Sequence, residues 1–285
     1  MRTWILAWAV LVAGCSAEAP DTSAYRGPII DMHLHAYPVA FAAGAPVCTG
    51  AQGMLPPTLD PAEEFTPELL SQGCPHPLIA PSNDEDALRL TLAQFETHNI
   101  RRAVTSGSIA EVSRWRTASE RIVPAVGFAT EGNYSVEALR AMHTRGEVAV
   151  FAEVLAQYRG IAADDERLEP FFALAEELDV PVGVHIGEGP PGAGRFPGYE
   201  TYRVSLSSAF QLENVLRRHP RLRIYVMHYG SPLVDDMIAM MLTYPNLYVD
   251  VSANNWGMPR RQFYDHLQRM IDAGYEQRIM YGSDQ

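Results

Sequence analysis

The sequence predicts a single α/β domain of the eight-stranded (β/α)8 TIM-barrel class. Three observations predict it. After a long first loop, short apolar runs of strand length alternate with amphipathic helical stretches, which implies parallel pairing. Eight such runs occur with seven helices between them, and eight units close into a barrel. The chain has 285 residues and is 47% hydrophobic, enough for one large core. An open doubly wound sheet would carry a glycine-rich phosphate loop after its first strand, and this sequence has none there.

Taken in order, residues 1–14 carry one charge, Arg2, ahead of the apolar run Trp4–Val12. That size and those flanks fit a signal peptide and are too short for a transmembrane helix. The segment ends Val12-Ala13-Gly14-Cys15, which resembles a bacterial lipobox. The resemblance implies lipidation of Cys15 and a membrane anchor. Ser16 stands where an aspartate would signal inner-membrane retention, which implies the outer membrane of a Gram-negative bacterium, facing the periplasm. Residues 15–26 read as a tether and 27–285 as the barrel domain. With Cys15 acylated, Cys48 and Cys74 remain, and an oxidising compartment favours their pairing. The chain-entropy model gives such a bond about 3–4 kcal/mol.

Pro28 to Met32 is an apolar run broken by one acid and reads as the first, buried strand. His33 and His35 follow at its end. The Pro- and Gly-rich stretch 37–81 reads as a long functional loop over the strand ends. Ser82 or Asn83 caps a helix to about Asn99. Strands are then expected at 102–106, 122–129, 148–155, 182–186, 222–227, 247–252 and 278–281. The expected helices are 109–121, 135–145, 164–178, 205–218, 233–243 and 259–273. Pro220 and Pro245 lie just beyond two of these ends, and Pro259 suits a first helical turn. The chain stops at Gln285 directly after the eighth strand, so the eighth helix is missing from it, and a longer parent protein is expected.

The formal charge is −12 and all 22 cationic side chains are arginine. The absence of lysine excludes a Schiff-base lysine and a carbamylated-lysine metal bridge. Acidity without a basic cluster argues against nucleic acid as a partner. A small-molecule substrate is expected instead.

In a barrel, chemistry sits on the rim formed by the C-terminal strand ends. Strand one delivers His33 and His35, which share a side at i and i+2. Strand four delivers Glu153, strand five His185, strand six His228 and strand eight Asp284. Imidazoles and carboxylates converging on one rim are metal ligands by type. Glu153 in an apolar strand needs a cation or donors, because an unpaired buried carboxylate is costly. His76, flanked by prolines, reads as structural or exposed. His98, His143, His219 and His266 read as solvated or helix-end residues.

The ordered set HxH, Glu, His, His, Asp on strands one, four, five, six and eight resembles the amidohydrolase superfamily. The phrases PIIDMHLHA, HIGEGPPG and IMYGSD resemble its amidohydrolase-related, metal-dependent hydrolases. The resemblance spans Gly27 to Gln285. It implies that His33, His35 and Asp284 bind a first metal and that His185 and His228 bind a second. Glu153 would bridge the two, as in the superfamily's metal-dependent deoxyribonucleases. In single-metal members His185 joins the first metal and His228 polarises substrate or water. The cofactor implied is one or two Zn2+ ions, with Mn2+ or Fe2+ as alternatives.

A bound divalent ion lowers the pKa of water to about 7 and supplies hydroxide at neutral pH. Asp284 and His228 are the expected catalytic residues, Asp284 passing the proton to the leaving group. The function expected is hydrolysis of an amide, ester or lactone. The alternatives are a zinc-dependent decarboxylase of the same superfamily and a non-catalytic lipoprotein that binds a small molecule. Arg195, Tyr199 and Tyr202, on the loop after strand five, are the candidate substrate contacts. Asn254, Asn255 and Trp256 are candidate pocket-lining residues.

Overall fold

The computed structural model describes residues 25–39, 43–49, 60–66, 69, 71, 74–128, 134–196 and 198–285. The expected signal peptide and Cys15 lie outside the described residues. The strands are β1 (Ile29–Ala36), β2 (Ile100–Gly107), β3 (Ile122–Pro124), β4 (Phe151–Val154), β5 (Val182–His185), β6 (Ile224–Met227), β7 (Leu247–Asp250) and β8 (Ile279–Met280). Their ladders are all parallel and form two sheets, β1-β2-β3 and β8-β7-β6-β5-β4.

Backbone hydrogen bonds carry the chain across both seams between the sheets. Val126 N–H donates to Val150 O at 3.1 Å and Ala149 N–H to Pro124 O at 2.8 Å, joining β3 to β4. Met32 N–H donates to Tyr281 O at 2.9 Å and Ser283 N–H to His33 O at 3.1 Å, joining β8 to β1. The eight strands thus follow one another around a ring. One buried cluster gathers Val104, Ala125, Val150, Ala152, Tyr225 and Met227, with Met32 and Met280 against it. These residues come from strands on all sides, and the Tyr225 hydroxyl reaches across to Met32 O at 3.2 Å. That is the filled interior of a small barrel.

The helices between strands are α1 (Asp84–Thr97), α2 (Ile109–Ala118), α3 (Val136–Thr144), α4 (Glu169–Leu178), α5 (Glu213–Arg218), α6 (Val234–Thr243) and α7 (Arg260–Asp272). Asn83, Ser108 and Ser135 cap the first three by accepting a backbone N–H three residues on. The helices bury one stripe each: Val234, Met237, Met240 and Met241 form that of α6. Among the described residues no helix follows β8, and none is long and apolar enough to cross a membrane.

Several boundaries differ from expectation for identifiable reasons. β1 runs on through both histidines to Ala36, because its ladder with β2 continues to the pair Ala36 and Gly107. The helix expected over 205–218 breaks into 3-10 turns at Val204–Leu206 and Ala209–Leu212 before α5. There the Ser207 hydroxyl donates to Gly187 O at 2.8 Å and that of Ser208 to Asp236 Oδ2 at 2.6 Å. Side chains engaged this way compete with regular helix. The helix expected from residue 164 starts only at Glu169, since Asp165 Oδ1 takes the Arg167 N–H in a turn.

The loop after β1 is pinned in three places. Cys48 and Cys74 form a disulfide with Cα atoms 5.9 Å apart. A short antiparallel pair joins Pro46–Val47 to Leu78–Ile79. Phe65 is buried against Phe196, ring centroids 4.8 Å apart, on the loop after β5. Gly192 allows that approach, because a Cβ there would lie 2.3 Å from the Phe65 ring.

Candidate metal centre

The six rim residues expected from sequence converge. His33 Nε2 and His35 Nε2 are 3.1 Å apart. An irregularity in the β1 register between Asp31 and Leu34 accompanies this inward turn. Glu153 Oε2 lies 3.6 Å from His33 Nε2 and 3.4 Å from His35 Nε2. Asp284 Oδ1 lies 3.4 Å and 2.9 Å from the same two nitrogens. Tetrahedral ligands about 2.1 Å from an ion stand about 3.4 Å from each other. These five separations, 2.9–3.6 Å, are of the size of the edges of a coordination shell.

A second triangle sits on the other side of Glu153. Its Oε1 lies 2.8 Å from His185 Nδ1 and 3.4 Å from His228 Nε2, and those nitrogens are 3.0 Å apart. The two oxygens of one carboxylate therefore face two pairs of histidines. Three overlapping donor groups are close enough for an ion: His33, His228 and Asp284; His33, His35 and Glu153; Glu153, His185 and His228.

The local folding explains the convergence. His228 and Asp284 adopt left-handed backbone, φ 63° and 57°, which turns each side chain back over the barrel mouth. Such conformations in non-glycine residues cost about 1–3 kcal/mol and persist where surroundings impose them. Gly282 lets β8 close on its neighbours, since a Cβ there would meet His33 Cβ at 2.8 Å and Ser252 Cβ at 2.9 Å. Buried Asp31 ties the two chain segments by accepting the N–H groups of His33 and Ser283, both at 3.0 Å. Burial pushes its carboxyl up to about 6.

Electrostatics support a cation here. Burial alone would raise the Glu153 carboxyl, but contacts with His185, His228 and His33 hold it well below the usual carboxylate range. Burial likewise opposes Asp284, and the nearby His33 and His35 override it downward. Burial lowers His185, while Glu153 and Asp284 outweigh burial at His228 and push it up to about 9. Among the described residues every ion-pair partner of Glu153, Asp250 and Asp284 is a histidine. All arginines but Arg2 are among those residues, and there is no lysine. Buried His185 Nε2 and Asp250 Oδ2 also have no hydrogen-bond partner. Three ionised carboxylates amid imidazoles, without an arginine, suit one or two divalent cations.

The substrate contacts expected from sequence fare differently. Arg195 is exposed and donates to the Glu63 carbonyl at 3.0 Å, which ties it to the long loop. Tyr202 is buried, and its hydroxyl donates to Gly187 O at 3.2 Å, so it braces the loop from within. Tyr199 packs edge-on against Tyr158, which packs edge-on against His185 at 4.8 Å. Asn254, Asn255 and Trp256 are engaged by backbone carbonyls of His228, Gly282 and Ser283. His76 and His98 are exposed. His219 stands at the end of α5, as expected of a helix-end residue, and is buried between Glu169 at 2.8 Å and Glu176 at 3.3 Å.

Sequence reasoning missed five residues. Ser106 faces His35 Nδ1 at 2.8 Å, and Ser252 faces His33 Nδ1 at 2.7 Å. Gln157 Nε2 donates to Gly187 O at 2.8 Å, below the loop after β5. Tyr158 touches His185, and Asp250 closes β7 wholly buried. Only Asp250 carried a signal, an acid ending an apolar strand, the same signal that exposed Glu153.

A parallel barrel with imidazoles and carboxylates gathered at its strand ends defines a class of barrel whose mouth could hold a metal ion. The amidohydrolase family model matches residues 30–285, and the chain belongs to that family. Its fold is similar to an uncharacterised TIM-barrel protein from Bordetella bronchiseptica, at 21% identity and a TM-score of 0.53, covering 72% of each chain. It is also similar to a putative 2-pyrone-4,6-dicarboxylic acid hydrolase from Pseudomonas putida, at 16% identity and 0.51, covering 90% of this chain and 82% of that one. A third similar fold is 4-oxalomesaconate hydratase from Rhodopseudomonas palustris, at 11% identity and 0.50, covering 90% and 81%. A comparison with curated proteins finds no match.

Proposed function

We propose that this protein is a metal-dependent hydrolase that cleaves an amide, ester or lactone bond in a small molecule. The observation that carries the reading is the divided Glu153 carboxylate, one oxygen toward His33 and His35, the other toward His185 and His228. His33, His35 and Asp284 with Glu153 Oε2 would hold one divalent ion, and Glu153 Oε1 with His185 and His228 a second. Zinc suits this donor set. Such ions supply a hydroxide nucleophile at neutral pH and polarise the scissile carbonyl.

The chain's own residues do the rest. Asp284 is the most exposed of the carboxylates at the centre, at 19%, and reaches the mouth of the barrel. Held ionised, it accepts a proton on a carboxylate oxygen and returns it to the leaving group. Tyr158 packs edge-on against His185 and covers that side of the centre. We further propose that Cys15 anchors the enzyme to a membrane outside the cytoplasm.

The experiment is metal analysis of the purified protein together with a panel of lactones, esters and N-acyl compounds. Two equivalents of zinc and turnover that His185→Ala abolishes are expected. A single equivalent with CO2 release from aromatic or dienoic acids would favour the decarboxylase reading instead. An intact metal site without turnover would favour a binding protein.

A further inference from the structure

Asp250 takes no place in the donor set, yet its side chain is wholly buried beside it. Its Oδ1 accepts three hydrogen bonds: from His228 N–H at 3.1 Å, from Ser252 N–H at 3.0 Å and from the Ser252 hydroxyl. Its Oδ2 has no hydrogen-bond partner and lies 3.3 Å from His33 Nδ1.

Counting protons fixes the state of two histidines. A serine hydroxyl owns one proton. Ser252 gives it to Asp250, because an ionised carboxylate only accepts. Its Oγ therefore offers lone pairs to His33 Nδ1 at 2.7 Å and to His228 Nδ1 at 3.2 Å. His228 Nδ1 also faces the Ser252 carbonyl at 3.1 Å, another pure acceptor. Both rings must carry hydrogen on Nδ1. Their Nε2 lone pairs are then left for the centre, one in each half of it.

We infer that Asp250, acting through Ser252, is a positioning residue that sets His33 and His228 in the tautomer and orientation able to bind metal. The inference rests on the metal-dependent reading. Ring nitrogens opposite a ligand atom are held in this way by outer partners, and losing one costs about 10–100-fold in metal affinity. Here one carboxylate serves two histidines, one in each half of the centre.

Asp250→Asn is the discriminating variant. Its carbonyl oxygen can keep the three donors at Oδ1. The amide NH2 then takes the place of Oδ2 and points a donor at His33 Nδ1–H. Zinc affinity is measured by competition with a chromophoric chelator. Asp250→Asn is expected to weaken the ion held by His33 by about 10–100-fold, and Ser252→Ala to weaken both ions by about tenfold. Glu169→Gln is the control, because Glu169 lies away from the centre and pairs with Arg218 and His219. It is expected to stay within about threefold. A second readout is nitrogen-15 spectroscopy of the zinc-loaded wild type, where His33 and His228 should both show protonated Nδ1.

Unchanged affinity in Asp250→Asn, or a proton on Nε2 of either ring, overturns the inference and leaves the metal reading standing. A wild type that binds no divalent ion overturns both. Should Asp250→Asn fail to fold, Ser252→Ala with undiminished affinity overturns the inference alone.

Discussion

The molecule contains two clusters that set buried histidine against carboxylates, and they are built to different ends. At the barrel mouth four imidazoles and three carboxylates converge, with histidines as the only ion-pair partners among the described residues. Away from it, His219 sits between Glu169 and Glu176, and arginines complete the set: Arg218 at 2.8 Å from Glu169 and Arg221 at 3.8 Å from Glu176. The residue types are the same. What differs is the supply of cations and the direction of the lone pairs. Around His219 the two acids lie on opposite ring nitrogens, so their oxygens diverge. At the mouth, nitrogens from separate rings point inward at about one bond-pair spacing from each other. Composition alone does not mark a candidate metal site; convergence and missing arginines do.

The comparison predicts its largest contrast for Glu153→Gln against Glu169→Gln. Replacing Glu153 removes the group both histidine pairs face, and several kcal/mol of barrier should return, about a thousandfold or more in kcat/KM. Metal content should fall with it. Glu169→Gln should keep both metal and activity and lower Tm by a few degrees, about 1–2 kcal/mol. Equal effects of the two variants on zinc content would erase the distinction. Asp284→Asn should lower kcat by about a hundredfold or more while retaining part of the metal, since it removes a proton carrier along with one ligand. Steady-state rates at saturating zinc decide that case.

The mouth was largely legible in the sequence and the loops around it were not. His33 and His35, Glu153, His185, His228 and Asp284 each end or follow an apolar strand, and a barrel brings all strand ends together. Periodicity and residue type are enough to see that. The second layer escaped because Ser106 and Ser252 are small, common residues with no periodic signature. Tyr202 and Arg195 are candidate substrate contacts by sequence position alone, on the loop that follows the strand of His185. Which way a loop side chain turns is fixed by contacts made far away in sequence, such as Arg195 with the Glu63 carbonyl. The helix-end place of His219 is legible from Pro220, but the acids that bury it are not. Its partners belong to α4, more than 40 residues earlier.

Proton competition sharpens the contrast further. Metal and proton seek the same imidazole lone pairs, so zinc affinity should rise with pH. His228 is pushed up to about 9 by its carboxylate neighbours against the effect of burial, so the rise should continue above pH 7. Each proton displaced contributes up to about tenfold per pH unit. Titration of zinc affinity between pH 6 and 9 measures this, and a flat profile contradicts it. Chelation at neutral pH should also lower Tm, because an ion held at 100 times its Kd contributes about 2.7 kcal/mol.

The smallest effect tests the geometry itself. If missing arginines were all that suits the mouth to a metal ion, stripping them from the other cluster should create a second such site. Arg218→Ala with Arg221→Ala leaves Glu169, His219 and Glu176 with no arginine of that pair. Arg221 is 81% exposed and Arg218 45%, so solvent already screens both pairs, and the loss should be about 0.5–1 kcal/mol together. Zinc stoichiometry should not change, because a single ring cannot direct both nitrogens at one ion. Metal analysis and a thermal melt read the two outcomes from one preparation. An extra equivalent of zinc in the double variant would mean that charge balance outweighs convergence, and the ranking of the two clusters would have to be redrawn on charge alone.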